Sequence, residues 1–223
     1  MTGRTAIFDL DGTLADTSAD LLAAANECFR RLGHGDILGQ GDAMTAFAGG
    51  RAMLRLGFSR LGPDWTEAEV DLQYPVLLAA YAADIDRHTR LYPGVLPALL
   101  RLNALGWRCG ICTNKPVGLA EELVARLGIR GQFDSLIGAD SLSVRKPDPA
   151  PYHAAVRLAG GSLARSVLIG DTVTDRDTAR AAGVPVVLVT FGPGGRSVAD
   201  LAPDALLDHF DNLVPVLQAV TPH

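Results

Sequence analysis

Asp9 and Asp11 stand two residues apart at the end of a short apolar run, followed at once by Gly12 and Thr13. Side chains alternate along extended backbone, so both acids can project the same way where a strand ends, and a glycine lets the chain turn sharply there. A half-buried strand tolerates an acid only near its end or beside a charged partner. Two acids so placed suit a divalent cation, although a strand running into an ordinary polar turn would use the same residue types. Three further polar groups carry candidate chemistry: Thr113-Asn114-Lys115, Arg145-Lys146-Pro147-Asp148-Pro149, and Asp171-Thr172-Val173-Thr174-Asp175 directly after Ser166–Gly170. By residue type alone, Thr113 can be a β-branched strand residue, Lys146 a solvated lysine before a proline, and Asp175 an acid in the first turn of a helix.

The elements that must position these residues follow from periodicity. A strand is predicted over 6–10. Asp16, Thr17 and Ser18 can cap a helix in which Leu21, Leu22, Ala25, Cys28, Phe29 and Leu32 recur at helical spacing until Gly33. Further helices are predicted over 42–48, 51–61 and 66–84, with Pro75 expected to kink or interrupt the last. No strand pattern occurs between Leu14 and Thr89. Beyond Tyr92-Pro93-Gly94, helices at 95–105, 117–127, 149–159 and 174–182 alternate with strands at 107–113, 133–137, 166–170 and 185–190. A glycine-rich loop at 191–196, a helix near Val198, an edge strand at 204–207 and a final helix at 211–220 complete the chain. That rhythm predicts an α/β fold: a doubly wound parallel sheet, Rossmann-like, with an inserted all-α helical cap. The core is expected at 1–14 and 91–223, and the cap at 15–90. Ligands of open α/β sheets bind beyond the carboxyl ends of the strands, where the polar groups above fall.

Length and composition agree with one core domain and an insertion: 223 residues, 48% hydrophobic. The formal net charge of -5, with no long basic run, argues against nucleic acid or an anionic membrane surface as a partner. No signal-peptide pattern precedes the first strand and no apolar run is long enough to span a bilayer, so a soluble, cytoplasmic protein is expected. The three cysteines offer no disulfide framework, and Cys109 and Cys112, three apart on a strand, should face opposite sides of the sheet as structural residues. The five histidines show no metal-ligand spacing.

With Asp-x-Asp-Gly-Thr at 9–13, Lys146-Pro147, and Gly170-Asp171 followed by Asp175, the chain resembles the haloacid dehalogenase superfamily of phosphohydrolases over nearly its whole length. The resemblance implies that Asp9 is the nucleophile of a phosphoryl transfer and that Mg²⁺ is held by the side chains of Asp9 and Asp171 and the backbone carbonyl of Asp11. It leaves the carboxyl of Asp11 free to protonate the leaving alkoxide and then to activate water. Thr113 and Lys146 would steady the phosphoryl oxygens, and Asp175 would hold a metal-bound water or orient Lys146. Two carboxylates about 4 Å apart repel by roughly 4 kcal/mol at an effective dielectric near 20, and a divalent cation removes that penalty.

Thr113-Asn114-Lys115, Leu14-Ala15-Asp16-Thr17 and the ending from Pro203 to Phe210 resemble the phosphoglycolate-phosphatase group of that superfamily. The implied reaction is hydrolysis of 2-phosphoglycolate to glycolate and phosphate, by a monomer or homodimer. Asn114 would assist substrate binding. The core motifs leave a substrate carboxylate without an evident donor, so Arg51, after Gly49-Gly50 at a helix start, is the candidate reader, with Arg55 able to substitute. Pyrophosphatases, sugar-phosphate phosphatases and phosphoglucomutases share the pattern, though no cap acid-base arrangement for a mutase is evident. A catalytically silent binding module would have lost Asp9, Asp11 or Lys146, and all three are present. A phosphonatase would need a cap lysine, and residues 15–90 contain none.

Overall fold

The first apolar run forms strand β1, Thr5–Phe8, with all four residues buried, as a strand covered on both faces requires. The computed structural model describes residues 3–221. In chain order there follow β2 (Ala15–Asp16), α1 (Ser18–Arg31), α2 (Ala43–Phe47), α3 (Gly50–Leu61), α4 (Glu67–Ala83), β3 (Arg90–Leu91), α5 (Val95–Ala104), β4 (Arg108–Cys112) and α6 (Val117–Arg126). Then come β5 (Ser135–Ile137), α7 (Ala150–Leu158), β6 (Ser166–Gly170), α8 (Val173–Ala182), β7 (Val186–Val189), β8 (Ala205–Leu207) and α9 (Leu213–Val220). Residues 3–15 with 91–221 make one unit and Asp16–Arg90 another.

In the first unit six strands pair in parallel in the order β5-β4-β1-β6-β7-β8. The chain winds outward from β1 through β4 to β5, then crosses to the other side of β1 at β6. Winding therefore reverses at β1, and a reversal of this kind opens a crevice at the carboxyl edge of the sheet. Phe8 is level with Ile111 of β4 and Ile169 of β6, which brings the residues that follow all three strands to one edge. On one face Ile7, Cys112, Ile137, Leu168, Val186 and Leu188 pack with Tyr152 and Val156 of α7 and Ala179 of α8. Cys112 belongs to that face, so alternation puts Cys109 on the other. All three cysteines are free and buried, and burial pushes the Cys109 and Cys112 thiols up to about 12.

The helical unit rests on the apolar stripe of α1, whose Leu21, Leu22, Ala25, Cys28 and Phe29 are buried, together with Met53, Leu54 and Phe58 of α3 and Val70, Leu77 and Tyr81 of α4. Asn26 fixes the chain after α1. Its amide nitrogen donates to the Leu38 carbonyl at 2.8 Å, and its oxygen accepts from the Ile37 and Leu38 amides.

Several boundaries differ from the sequence reading. β1 ends at Phe8 rather than Leu10, although the Asp9 amide still donates to the Ile169 carbonyl at 2.8 Å, extending the pairing by one bond. Pro75 does not interrupt α4, which runs from Glu67 to Ala83. Proline removes one donor, and the buried Val70, Leu77 and Tyr81 hold the helix on both sides of it. The two-residue strand β2 lies within the stretch expected to lack strands, too short to show a period. The helix near Val198 is a 3₁₀ segment, Gly195–Leu201.

Candidate active site

The loop after β1 turns at Gly12, whose φ of 80° favours glycine and where a Cβ would lie 2.3 Å from Oδ2 of Asp171. Gly170 is a second close approach: a Cβ there would meet the Asp175 carboxyl at 2.3–2.5 Å. The two glycines let the loops after β1 and β6 fold against one another. Thr13 completes the contact, its hydroxyl donating to Oδ1 of Asp171 at 2.9 Å.

Asp9 follows β1 directly. Its Oδ1 accepts from the Leu10 amide at 2.7 Å and its Oδ2 lies 3.0 Å from Nζ of Lys146. Lys146 also donates to Oδ1 of Asp175 at 2.6 Å, and both side chains of that pair are almost fully enclosed. Oδ2 of Asp175 accepts from the amides of Asp171 and Thr172 and from the Thr172 hydroxyl. Asp175 therefore both orients Lys146 and caps the first turn of α8. Thr113, buried after β4, accepts from the Lys115 amide at 3.2 Å through its hydroxyl oxygen. Asn114, though exposed, ties two loops together, its side-chain amide donating to the Lys146 carbonyl at 3.0 Å.

Asp11 corrects one expectation. Its carboxyl is not free: Nζ of Lys115 donates to its two oxygens at 2.8 and 3.0 Å. Lys115 is 4% exposed at the side chain, a buried cation that the sequence reading named with Thr113 and Asn114 but gave no role. A signal for it was present, since Lys115 and Lys146 are the only two lysines among twenty basic residues. Arg51 lies in the helical unit, where its guanidinium pairs with Asp71 and stands 4.6 Å from the centre of the Tyr74 ring.

Burial is the largest single influence on Asp9, Asp171 and Lys146. It raises the Asp9 carboxyl to about 6, against the pull of Lys146, with Asp175 and Asp11 adding to the rise. It raises Asp171 well above the ordinary carboxylate range, aided by Asp175 and Asp9. Burial alone would lower Lys146, but Asp175 and Asp9 outweigh it and hold the ammonium above its usual value. Carboxylate oxygens of Asp9, Asp171 and Asp175 lie within 4.8 Å of one another.

These residues fit a divalent cation. Oδ2 of Asp171 is buried with no hydrogen-bond partner, an arrangement that leaves a strong acceptor desolvated unless something positive meets it. The site gathers four carboxyl groups, Asp9, Asp11, Asp171 and Asp175, against two lysines, Lys115 and Lys146, an excess of two acids that one divalent cation would balance. All the donors are oxygens, the set a hard cation prefers.

A parallel α/β sheet with an oxygen-lined, metal-competent centre and a lysine-paired carboxylate at its winding reversal is an arrangement suited to an anionic, oxygen-rich substrate. Residues 6–189 match the family model for haloacid dehalogenase-like hydrolases. The chain is 38% identical over 207 residues to the phosphoglycolate phosphatase of Mesorhizobium japonicum, covering 93% of this chain and 91% of that one. It is 34% identical over 212 residues to that of Agrobacterium fabrum, covering 95% and 91%. In fold it is similar to the crystal structure of a predicted phosphoglycolate phosphatase from Haemophilus somnus, with a TM-score of 0.84, 24% identity, and 97% and 98% of the two chains covered. The chain belongs to the haloacid dehalogenase-like hydrolase family and is a phosphoric monoester hydrolase.

Proposed function

We propose that the chain hydrolyses small phosphate monoesters through a phosphorylated Asp9, with Mg²⁺, and that its substrate is 2-phosphoglycolate. The observation that carries the mechanism is the Asp9 carboxylate at the strand end, 3.0 Å from a buried lysine and beside the orphaned Oδ2 of Asp171. An oxygen of Asp9 attacks phosphorus as the bond from phosphorus to the leaving oxygen breaks, and Asp11, carrying a proton in the substrate complex, gives it to that oxygen and is left as a carboxylate. Water then attacks the phosphorus of phospho-Asp9, Asp11 takes the proton, and phosphate leaves with Asp9 regenerated. Lys146 offsets charge on Asp9 and the transferring group, and Thr113 donates to a phosphoryl oxygen. Asp9, Asp171 and the Asp11 backbone carbonyl would hold Mg²⁺, which would neutralise the clustered carboxylates and the incoming phosphoryl group.

The names of the two curated relatives support 2-phosphoglycolate, and the helical unit is read as a substrate-selecting cap at 15–90. Arg51 is its candidate carboxylate reader, which would require its guanidinium to leave Asp71. Asp9→Asn preserves shape and removes the nucleophilic charge, so phosphate release with Mg²⁺ present should become undetectable. Substantial turnover by that variant would refute the covalent route. Arg51→Ala should lower kcat/KM for 2-phosphoglycolate by about tenfold more than for a neutral phosphate ester. A parallel loss on both would remove Arg51 from substrate reading.

A further inference from the structure

Lys115 is the one buried cation of the site to which the reaction above gives no part. Among the described residues the other paired acids outside the site meet arginine or histidine, whereas both lysines of the chain are buried at the carboxyl edge of the sheet. Lys146 faces the nucleophile; Lys115 holds both carboxylate oxygens of Asp11. In the acid step one Asp11 oxygen carries the proton to the leaving group, and a protonated carboxyl oxygen is a poor acceptor for an ammonium, so at least one of those bonds must open. Taking a carboxylate from a buried ammonium without replacement is costly, because it strands a desolvated charge. Exchanging it for another carboxylate is not, and an ammonium, a compact point charge without a fixed fork, accepts either.

We propose that Lys115, and not only Arg51, recognises an anionic substituent on the leaving group, and that the substrate's carboxylate takes the place of Asp11 on Lys115, releasing the Asp11 carboxyl toward the leaving oxygen. The inference rests on the phosphatase reading with Asp11 as acid and base, and deepens it by adding a core residue to the selection of substrate class. In 2-phosphoglycolate one methylene separates the carboxylate from the leaving oxygen, so the groups that Lys115 and Asp11 would meet are neighbours. A neutral ester brings no replacement and must break the Asp11–Lys115 pair uncompensated.

The test compares kcat/KM, with Mg²⁺, for 2-phosphoglycolate and for 2-hydroxyethyl phosphate, which carries a hydroxymethyl group in place of the carboxylate. Wild type should prefer phosphoglycolate, Lys115→Met should lose about 10- to 100-fold of that preference, and Lys115→Arg should keep most of it. Equal losses on both esters in Lys115→Met, or an unchanged preference, overturn the assignment. Should Lys115→Met fail to fold, calorimetry in the Asp9→Asn background decides. There Asp11→Asn removes the competing carboxylate and should tighten phosphoglycolate more than the neutral ester, whereas equal tightening overturns the exchange. Wild type inactive on both esters would refute the phosphatase reading and this inference together. Turnover of both, with the preference intact in Lys115→Met, refutes the inference alone.

Discussion

Two acids of one motif end against different buried lysines. Asp9 lies against Lys146 with its carboxyl raised by burial, while Asp11, two residues on, is tied to Lys115 and is 17% exposed at the side chain. Asp9 is held by the Leu10 amide as well as by Lys146, as a nucleophile that must stay fixed requires. Asp11→Asn keeps the backbone carbonyl, so Mg²⁺ affinity by calorimetry should change little while turnover falls by about 10²- to 10⁴-fold, the usual worth of a positioned acid. The loss should shrink for esters with good leaving groups, which need less protonation. Single-turnover phosphorylation of Asp9 reads that trend directly, and an equal loss across leaving groups would take the acid role from Asp11.

At the scale of elements, the glycines decide which surfaces meet. Gly57 in α3 faces Phe29 of α1 so closely that a Cβ would lie 2.1 Å from the ring. Phe29 is fully buried and packs edge-on against Phe58 with centroids 5.3 Å apart, so its ring has no open space to retreat into. Gly57→Ala gains helix propensity but overpacks this contact, and should destabilise the helical unit by about 1–3 kcal/mol in denaturant unfolding. Phe29→Leu in the same chain should recover part of the loss, since the two positions share one contact. A stability unchanged by Gly57→Ala would mean that the helices separate more easily than this packing implies.

For the molecule as a whole, the site concentrates charge that folding must bury. Because the Asp9 carboxyl is raised to about 6 from an ordinary 3.8, the folded metal-free chain holds more protons than the unfolded chain between those values. Its contribution therefore makes stability fall as pH rises through that window, and Asp171, raised in the same direction, adds to the fall. Mg²⁺ should reverse this at neutral pH. At about 100 times its Kd a ligand of the native state adds roughly 2.7 kcal/mol, which for a chain of this size is a Tm rise of about 5–10 °C. Thermal melts should show that rise at pH 7 and a smaller one at pH 5, where protons compete for the same carboxylates. An equal rise at both values would place the cation away from Asp9 and Asp171.

Most of the sheet was legible in the chain alone, because a buried parallel strand such as Ser166–Gly170 must be apolar along its whole length and must end where polar residues begin. The same logic located Asp9 and Asp171 at strand ends, and the unbroken helical spacing from Leu21 to Leu32 marked the inserted helices. Periodicity did not reach β2, whose two residues hold no period, or the continuity of α4 through Pro75, which depends on packing on both sides of the proline. Nor did it find the partner of Asp11. Lys115 is 104 residues away along the chain, and their pairing exists only because β1 and β4 are neighbours in register. Residue types and local spacing determine which groups can do chemistry. Which carboxylate meets which ammonium is decided by strand order, since side chains so distant in sequence share an environment only after the sheet has formed.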